Sequence, residues 1–447
     1  MNKNNLKIMI TMSVAVGVGS TLTLVSACNT RFAPSWDDTI TITNGWINPG
    51  FSGTEKEEDF IKLLENKFNG LKNQNKATKK YKDVKFQIKG DGDKKAFLEN
   101  LKANDKKNNV YIANYTYYKN FWDSANQKIN HREVDQVKLV AQTSTLKFKW
   151  QSNFNDNDFY KKDNGQTLMQ QAEANNKIWV DEVGAEYPDW YKKEKEQKLK
   201  FDGSKYTNFY DQNNKLTYVY RGAILISGNK TNREKIKSQW EKKEYENFIK
   251  NGIIYEKSTS AGQYSYQVAL MARHFGKSVE TVKHDLEVNE SYKKYIFKGK
   301  GNGPDAQLGK KAKLDSQDFY PSIGFVDDGV YNWTHSTEKS TLFKPTEFKS
   351  EKGIKDDNNV VIRTLILTNP APYDLVLARK GMLDEQVKLL TETLTSLSVE
   401  QNTYGIYTGY NKFNTLDKTL LEKMVKLQVQ AETTQDLATD IPDANKK

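Results

Sequence analysis

Five consecutive residues, Ser258-Thr259-Ser260-Ala261-Gly262, hold the sharpest chemical signal in this chain. They lie between a predicted strand at 252–255 and a predicted helix at 264–275. Free backbone N–H groups at a helix start, hydroxyl donors and the positive end of the helix dipole together bind phosphate-type anions. The same residue types are ordinary N-caps, so the segment supports two readings. A second group is aromatic. Trp46 ends the first predicted strand, Tyr115, Tyr117 and Tyr118 follow the third, and Trp333 follows the strand at 323–326 after Asp327-Asp328-Gly329. Ligands of open α/β sheets bind at the C-terminal ends of strands. An aromatic face there stacks on a flat ring and attracts a cationic one. For any one of these rings core packing is the simpler explanation, so the argument rests on their recurrence at strand ends.

Catalysis finds little support. The four histidines, His131, His274, His284 and His335, show no metal-ligand spacing such as H-E-x-x-H. There is no G-x-S-x-G elbow and no phosphate-binding P-loop. The run Asn155-Asp156-Asn157-Asp158 lacks the glycine and distal glutamate of a calcium loop and reads as a solvated turn. The expected function is therefore binding, with no enzymatic activity, no catalytic cofactor and no resident metal. A metal ion accompanying a phosphate ligand is left open.

These residues must be carried by a folded chain of 447 residues with a formal net charge of +11. The length suits two or three domains, and an aromatic content of 12% predicts a packed core. The basic balance suits an anionic membrane surface or an anionic ligand. It is spread along the chain without a basic helix, which argues against nucleic acid. The single cysteine, Cys28, ends the run Val25-Ser26-Ala27-Cys28 behind an apolar stretch from Ile8, with Lys3 and Lys7 ahead of it. That arrangement predicts a lipoprotein signal peptide at 1–27 and diacylglyceryl and palmitate modification of Cys28. The alternative is an uncleaved spanning helix. Both put everything after residue 28 on the outer face of the cell membrane. No cysteine remains for a disulfide.

Pattern then predicts the elements. Residues 28–38 read as a tether. A strand at 39–46, a helix from Thr54 with Glu57 in capping-box spacing, a strand at 84–88, a helix at 94–103, a strand at 110–115 and a helix at 117–125 imply parallel β-α-β units. Residues 150–215 read as a polar insertion with a helix or two. Strands follow at 216–227, 323–326 and 360–367, and helices at 232–250 and 384–397. Residues 291–314 read as a loop, and the tail after Ala431 as frayed.

At this point the chain resembles a family. The likeness runs from about Ile40 to near Lys426. It is carried by Trp46, by Tyr220-Arg221-Gly222, by Ser258-Thr259-Ser260, and by Gly329 with Trp333-Thr334-His335. Thr368-Asn369-Pro370-Ala371-Pro372-Tyr373-Asp374 and Tyr404-Gly405 with Gly409-Tyr410-Asn411 complete it. The family is the mycoplasma-type extracytoplasmic thiamine pyrophosphate-binding lipoproteins, or high-affinity transport system lipoproteins. They are substrate-binding components of ABC importers related to phosphonate-binding proteins. The resemblance implies an α/β, two-lobed type II periplasmic-binding-protein fold with the ligand cleft between the lobes. Lobe 1 is expected at 39–230 and 361–447, with the insertion at about 150–215, and lobe 2 at 231–360. A monomer is expected, handing thiamine pyrophosphate or a closely related thiamine phosphate to an ABC permease. The implied contacts are Ser258, Thr259, Ser260 and Gly262 for phosphate, and Trp46, Trp333 and Thr334 around the rings; Tyr115 joins them from its place at a strand end, where this chain departs from the family's smaller residue. Tyr220, Asn369, Tyr373 and Asp374 would line the walls, Asp374 facing an amino-pyrimidine. Arg221 either neutralises phosphate or makes a structural ion pair. The alternatives are a binding protein for another phosphorylated or phosphonate ligand, and an adhesin or host-interaction lipoprotein.

Overall fold

Thr39–Asn44 alternates β-branched residues and is buried along its length, so it needs a neighbour on each edge. It finds both. Lys85–Gly90 and Val110–Ala113 pair with it in parallel, Thr39 opposite Lys85 and Ile42 opposite Val110. In the computed structural model, residues 33–48, 50–91, 96–152, 156–157, 166–183, 210–211, 213–298, 303–333, 341–349, 356–433 and 440–446 are described. The signal segment and Cys28 therefore lie outside the described residues. No helix among those described is long and apolar enough to cross a membrane.

Two sheets organise the chain. The seven-stranded sheet runs in the order Lys412–Asn414, Lys138–Leu146, Leu375–Ala378, Val110–Ala113, Thr39–Asn44, Lys85–Gly90, with Leu216–Thr217 added to Lys138–Leu146. The helix Glu55–Gln74 buries Phe60, Leu64 and Phe68 beside it, and the amphipathic helix Asp384–Thr395 packs alongside. Thr54 is the N-cap of the first helix, but its hydroxyl turns back to the Phe51 carbonyl at 2.6 Å. Glu57 instead accepts the Gly53 N–H at 2.6 Å. The five-stranded sheet runs in the order Ile296–Lys298, Ile253–Tyr255, Ile323–Asp327, Gly222–Gly228, Val361–Leu367.

Several expectations change here. Gly222–Gly228 and Val361–Leu367, both assigned to lobe 1 from the sequence, hydrogen-bond into the five-stranded sheet. A strand buried on both faces has to pair at its edges, and the free edges are there. The chain thus passes between sheets at 217–222 and 367–375. The expected helix at 117–125 is a 3₁₀ turn, Tyr115–Phe121, followed by a small hairpin of Trp122–Asp123 with Lys128–Ile129. The 232–250 helix is two, broken where Lys243 takes a φ of 58°.

The described part of the insertion is not free decoration. The helix Gln166–Ile178 packs on the edge strand Val361–Leu367. Asn176 satisfies that edge, donating to the Thr364 carbonyl at 2.9 Å and accepting the Thr364 N–H at 2.8 Å. Asn175 and Asn332 exchange amide hydrogen bonds at 2.8 and 3.2 Å. Asp156 pairs with Lys147 at 3.1 Å and accepts the Thr217 hydroxyl at 2.9 Å, a structural role for one acid of the 155–158 run. The tail also docks, with Ile441 buried and Asn445 bonded to both backbone groups of Leu216.

Candidate functional site

The strand ends bring the chemistry together. Asn44 and Ala113 end parallel strands of the first sheet, and Asp374 precedes the antiparallel strand that begins opposite Ala113. In the second sheet Asp327 ends its strand opposite Gly222, and Thr368-Asn369 follow Leu367, which lies opposite Ala223. The segments joining the two sheets therefore leave from these edges.

At the second sheet, Ser260 caps a helix that opens with a π turn, Ala261–Ser265, and continues as Tyr266–His274. The Ser260 hydroxyl accepts the Gln263 N–H at 3.3 Å. Ser258 and Thr259 are exposed ahead of it. Gly262 lets Asp327 come close: a Cβ there would lie 1.8 Å from Asp327 Oδ1 and 3.3 Å from a ring carbon of Tyr220, so the carboxylate would have to move. The Gln263 amide donates to Asp327 Oδ2 at 2.9 Å. Asp327 thus sits against the helix start, a residue that the sequence marked only as part of an acidic pair before Trp333. Two acids at a strand C-terminus were the available signal.

Asp328 is buried and accepts from the Gln151 amide at 2.8 Å. Burial pushes its carboxyl up to about 7, against the pull of Arg221, Trp150 and Gln151. Arg221 is only 1% exposed and acts electrostatically on Asp328. That places its charge beneath the strand ends rather than on an open surface.

A tyrosine series crosses between the sheets. The Tyr220 and Tyr266 hydroxyls are 2.9 Å apart, and the Gln428 amide donates to Tyr266 at 3.1 Å. The Tyr220 and Tyr373 rings meet edge-on at 5.5 Å, and Tyr373 meets Tyr410 at 6.0 Å. Tyr410 donates to Asp374 Oδ2 at 2.6 Å. Burial pushes the Tyr373 hydroxyl up to about 12, with Asp374, Asp327 and Asp328 all adding to the shift. Three carboxylates therefore act on one ring. Burial and neighbouring carboxylates also raise Tyr220 and Tyr410 well above the ordinary phenol range, so both remain protonated donors.

The aromatic expectations divide. Trp46 is 62% exposed on the turn after its strand. Tyr115 is 0% exposed and its hydroxyl bonds to Gln142. Sequence placed it against a ligand ring, but here it has no free face, because the 3₁₀ turn folds it into the core beside Tyr118. Trp333 ends the short helix Val330–Trp333, and its side chain and Thr334 lie outside the described residues. Asn369 is buried, with its side-chain oxygen lacking a hydrogen-bond partner among the described residues. Among those residues no group of three His, Cys, Asp or Glu side chains could hold a metal ion.

A model of the extracytoplasmic thiamine-binding lipoprotein family matches residues 58–430. The chain belongs to this family. It is similar to the high affinity transport system protein p37 of Mesomycoplasma hyorhinis, 27% identical over 396 residues, covering 86% of each chain. The p37 protein of Mycoplasma pneumoniae is 30% identical over 295 residues, covering 64% of this chain and 70% of that one. The solved structure of Mycoplasma hyorhinis Mh-p37 superposes with a TM-score of 0.68 at 26% identity, over 90% of this chain and all of that one. The fold is the type II periplasmic-binding-protein class that the resemblance implied. This extracytoplasmic lipoprotein-family member is a p37-like substrate-binding protein of an ABC-type transport system and not an enzyme.

Proposed function

We propose that the protein captures thiamine pyrophosphate between its two sheet-centred lobes and delivers it to a permease for import, anchored to the outer face of the membrane through lipid on Cys28. One observation carries the reading: the strand ends present opposite chemistries. The second sheet offers the exposed hydroxyls of Ser258 and Thr259 just ahead of a helix N-terminus that the half-buried Ser260 caps. The first offers exposed Trp46 and the Tyr410-oriented carboxylate of Asp374. A molecule with a diphosphate at one end and a cationic thiazolium and an amino-pyrimidine at the other matches both. The Mh-p37 structure is described as that of a candidate thiamine pyrophosphate transporter, which agrees.

The acidic residues sharpen the reading. Asp327 lies against the helix start, and Asp327, Asp328 and Asp374 act on the same tyrosine. The Asp327 and Asp374 carboxylates oppose a bare anion and favour a ligand that brings its own positive charge, whereas Asp328 lies beside Arg221 and holds its proton up to about 7. Inorganic pyrophosphate should therefore bind much more weakly than thiamine pyrophosphate.

Titration calorimetry on the ligand-free chain starting after Cys28 tests this, with thiamine pyrophosphate, thiamine and inorganic pyrophosphate compared. Residues from Pro34 onward form one compact unit, which supports that boundary. Tight binding of thiamine pyrophosphate, with both fragments at least about 100-fold weaker, is expected, since each fragment forfeits several charge-assisted contacts. Binding of none of the three would overturn the ligand assignment. Equal binding of pyrophosphate would shift it to another phosphorylated ligand.

A further inference from the structure

We infer that Asn44 is a positioning residue for the ring end of the site: one buried amide sets both the turn that carries Trp46 and the surroundings of the Tyr410 hydroxyl that orients Asp374. The inference rests on the thiamine reading for its ligand and on geometry for its mechanism.

Asn44 is 1% exposed at the end of the first strand. Its amide nitrogen has two hydrogens and uses both. One goes to the Trp46 carbonyl at 2.6 Å, the other to the Tyr404 hydroxyl at 2.9 Å. Its oxygen accepts the Trp46 N–H at 3.2 Å. The side chain therefore grips both backbone groups of Trp46, as an Asx turn does, and is itself held by Tyr404. Tyr404 is wedged between Phe51 and Phe60, at ring distances of 5.3 and 5.5 Å. The exposed indole thus stands on a turn whose backbone is tied to the core.

The same amide oxygen faces the Tyr410 hydroxyl at 3.5 Å, whereas Asp374 accepts from that hydroxyl at 2.6 Å. A hydroxyl has one proton, and the shorter contact to a charged acceptor wins it. A neutral, weakly placed acceptor at residue 44 leaves the Tyr410 proton on Asp374. An ionised acceptor there would compete for it. Asn44 thereby suits a ring platform and a carboxylate that must stay in register with each other, with no ligand contact of its own required.

The test substitution is Asn44→Asp, which keeps size, loses both donors and adds a competing carboxylate. Affinity for thiamine pyrophosphate and for thiamine should each fall about ten-fold or more, while pyrophosphate affinity stays within about two-fold. In a Trp46→Ala background the part of the Asn44→Asp loss that passes through the Trp46 turn should vanish, leaving the part that passes through Tyr410 and Asp374, so the two substitutions should combine less than additively. Tyr404→Phe keeps the packed ring, removes one acceptor and should give a smaller loss of the same kind, so the test survives if Asn44→Asp folds poorly. A ligand-independent readout comes from ¹⁹F spectra of chain carrying 5-fluorotryptophan at its eight tryptophans. The resonance that Trp46→Phe removes should shift or broaden in Asn44→Asp, even if no thiamine compound binds the wild type. An unmoved Trp46 resonance would overturn the inference, as would equal loss of pyrophosphate or full additivity with Trp46→Ala. Failure of the wild type to bind thiamine compounds, with a moved resonance, would overturn the proposed ligand alone.

Discussion

Replacing Gly262 by alanine drives a methyl group into the Asp327 carboxylate. The Cβ would stand 1.8 Å from Oδ1, far inside any van der Waals contact, and 3.3 Å from Tyr220 Cε2. The backbone at Gly262 is not in the left-handed region, so conformational strain contributes nothing and the whole effect is steric. Asp327 must swing away, breaking its 2.9 Å hydrogen bond from Gln263. A charge-assisted bond is worth roughly 1.5–3 kcal/mol, and forced repacking adds about 1–3 kcal/mol. Asp327 is only partly buried and finds water when displaced, so the net loss should be about 2–4 kcal/mol. Urea unfolding measures it. In an Asp327→Ser background the obstructing oxygen is gone, and Gly262→Ala should then cost less than about 1 kcal/mol. Ligand affinity should fall with stability in the single variant and recover in part in the double. A Gly262→Ala protein within about 0.5 kcal/mol of wild type, or a cost unchanged by Asp327→Ser, would refute the steric argument and the position of Asp327 at the helix start.

Three further outcomes are expected. Ser258→Ala, Thr259→Ala and Ser260→Ala combined should cost roughly 1.5–3 kcal/mol of thiamine pyrophosphate affinity for each charge-assisted bond lost, leaving thiamine affinity nearly unchanged by calorimetry. Asp328 is held up at about 7, above the ordinary 3.8. Between those values the folded chain keeps a proton that the unfolded chain has released, so stability falls as pH rises through that window. The unfolding free energy of wild type relative to Asp328→Asn should drop by on the order of 2 kcal/mol from pH 5 to pH 8, and a pH-independent difference would rule the shift out. Asn176→Ala should lose two hydrogen bonds to Thr364, destabilising the chain by about 1–3 kcal/mol in urea, with ligand affinity within about two-fold.

What the sequence determined by itself was whatever neighbours along the chain decide. The apolar run ending at Cys28 carries the lipoprotein expectation, and the hydroxyl cluster located a helix start whose cap the structure assigns to Ser260. Alternation and helical periodicity located Thr39–Asn44, Val110–Ala113, Val361–Leu367 and Asp384–Thr395. The order of quoted motifs pointed to the family whose model spans residues 58–430.

Tertiary structure decided everything whose partner is distant. Lys138–Leu146, which pairs with three strands of the first sheet, was not legible as a strand. Its middle, Gln142-Thr143-Ser144, is polar yet fully buried, which periodicity reads as a loop. Those groups are satisfied by the backbone of Tyr373 and Asp374 and by Asn414, more than 200 residues away. Asn44 reads only as part of the strand at 39–46, and the arrival of Tyr404 and Tyr410 gives its amide a task beyond holding Trp46. Gly262 reads as part of a phosphate-binding helix start, and what crowds it is a carboxylate 65 positions further on. Burial makes such groups depend on one specific partner, because water cannot replace it. That partner is chosen when the sheets assemble, after local pattern has said all it can.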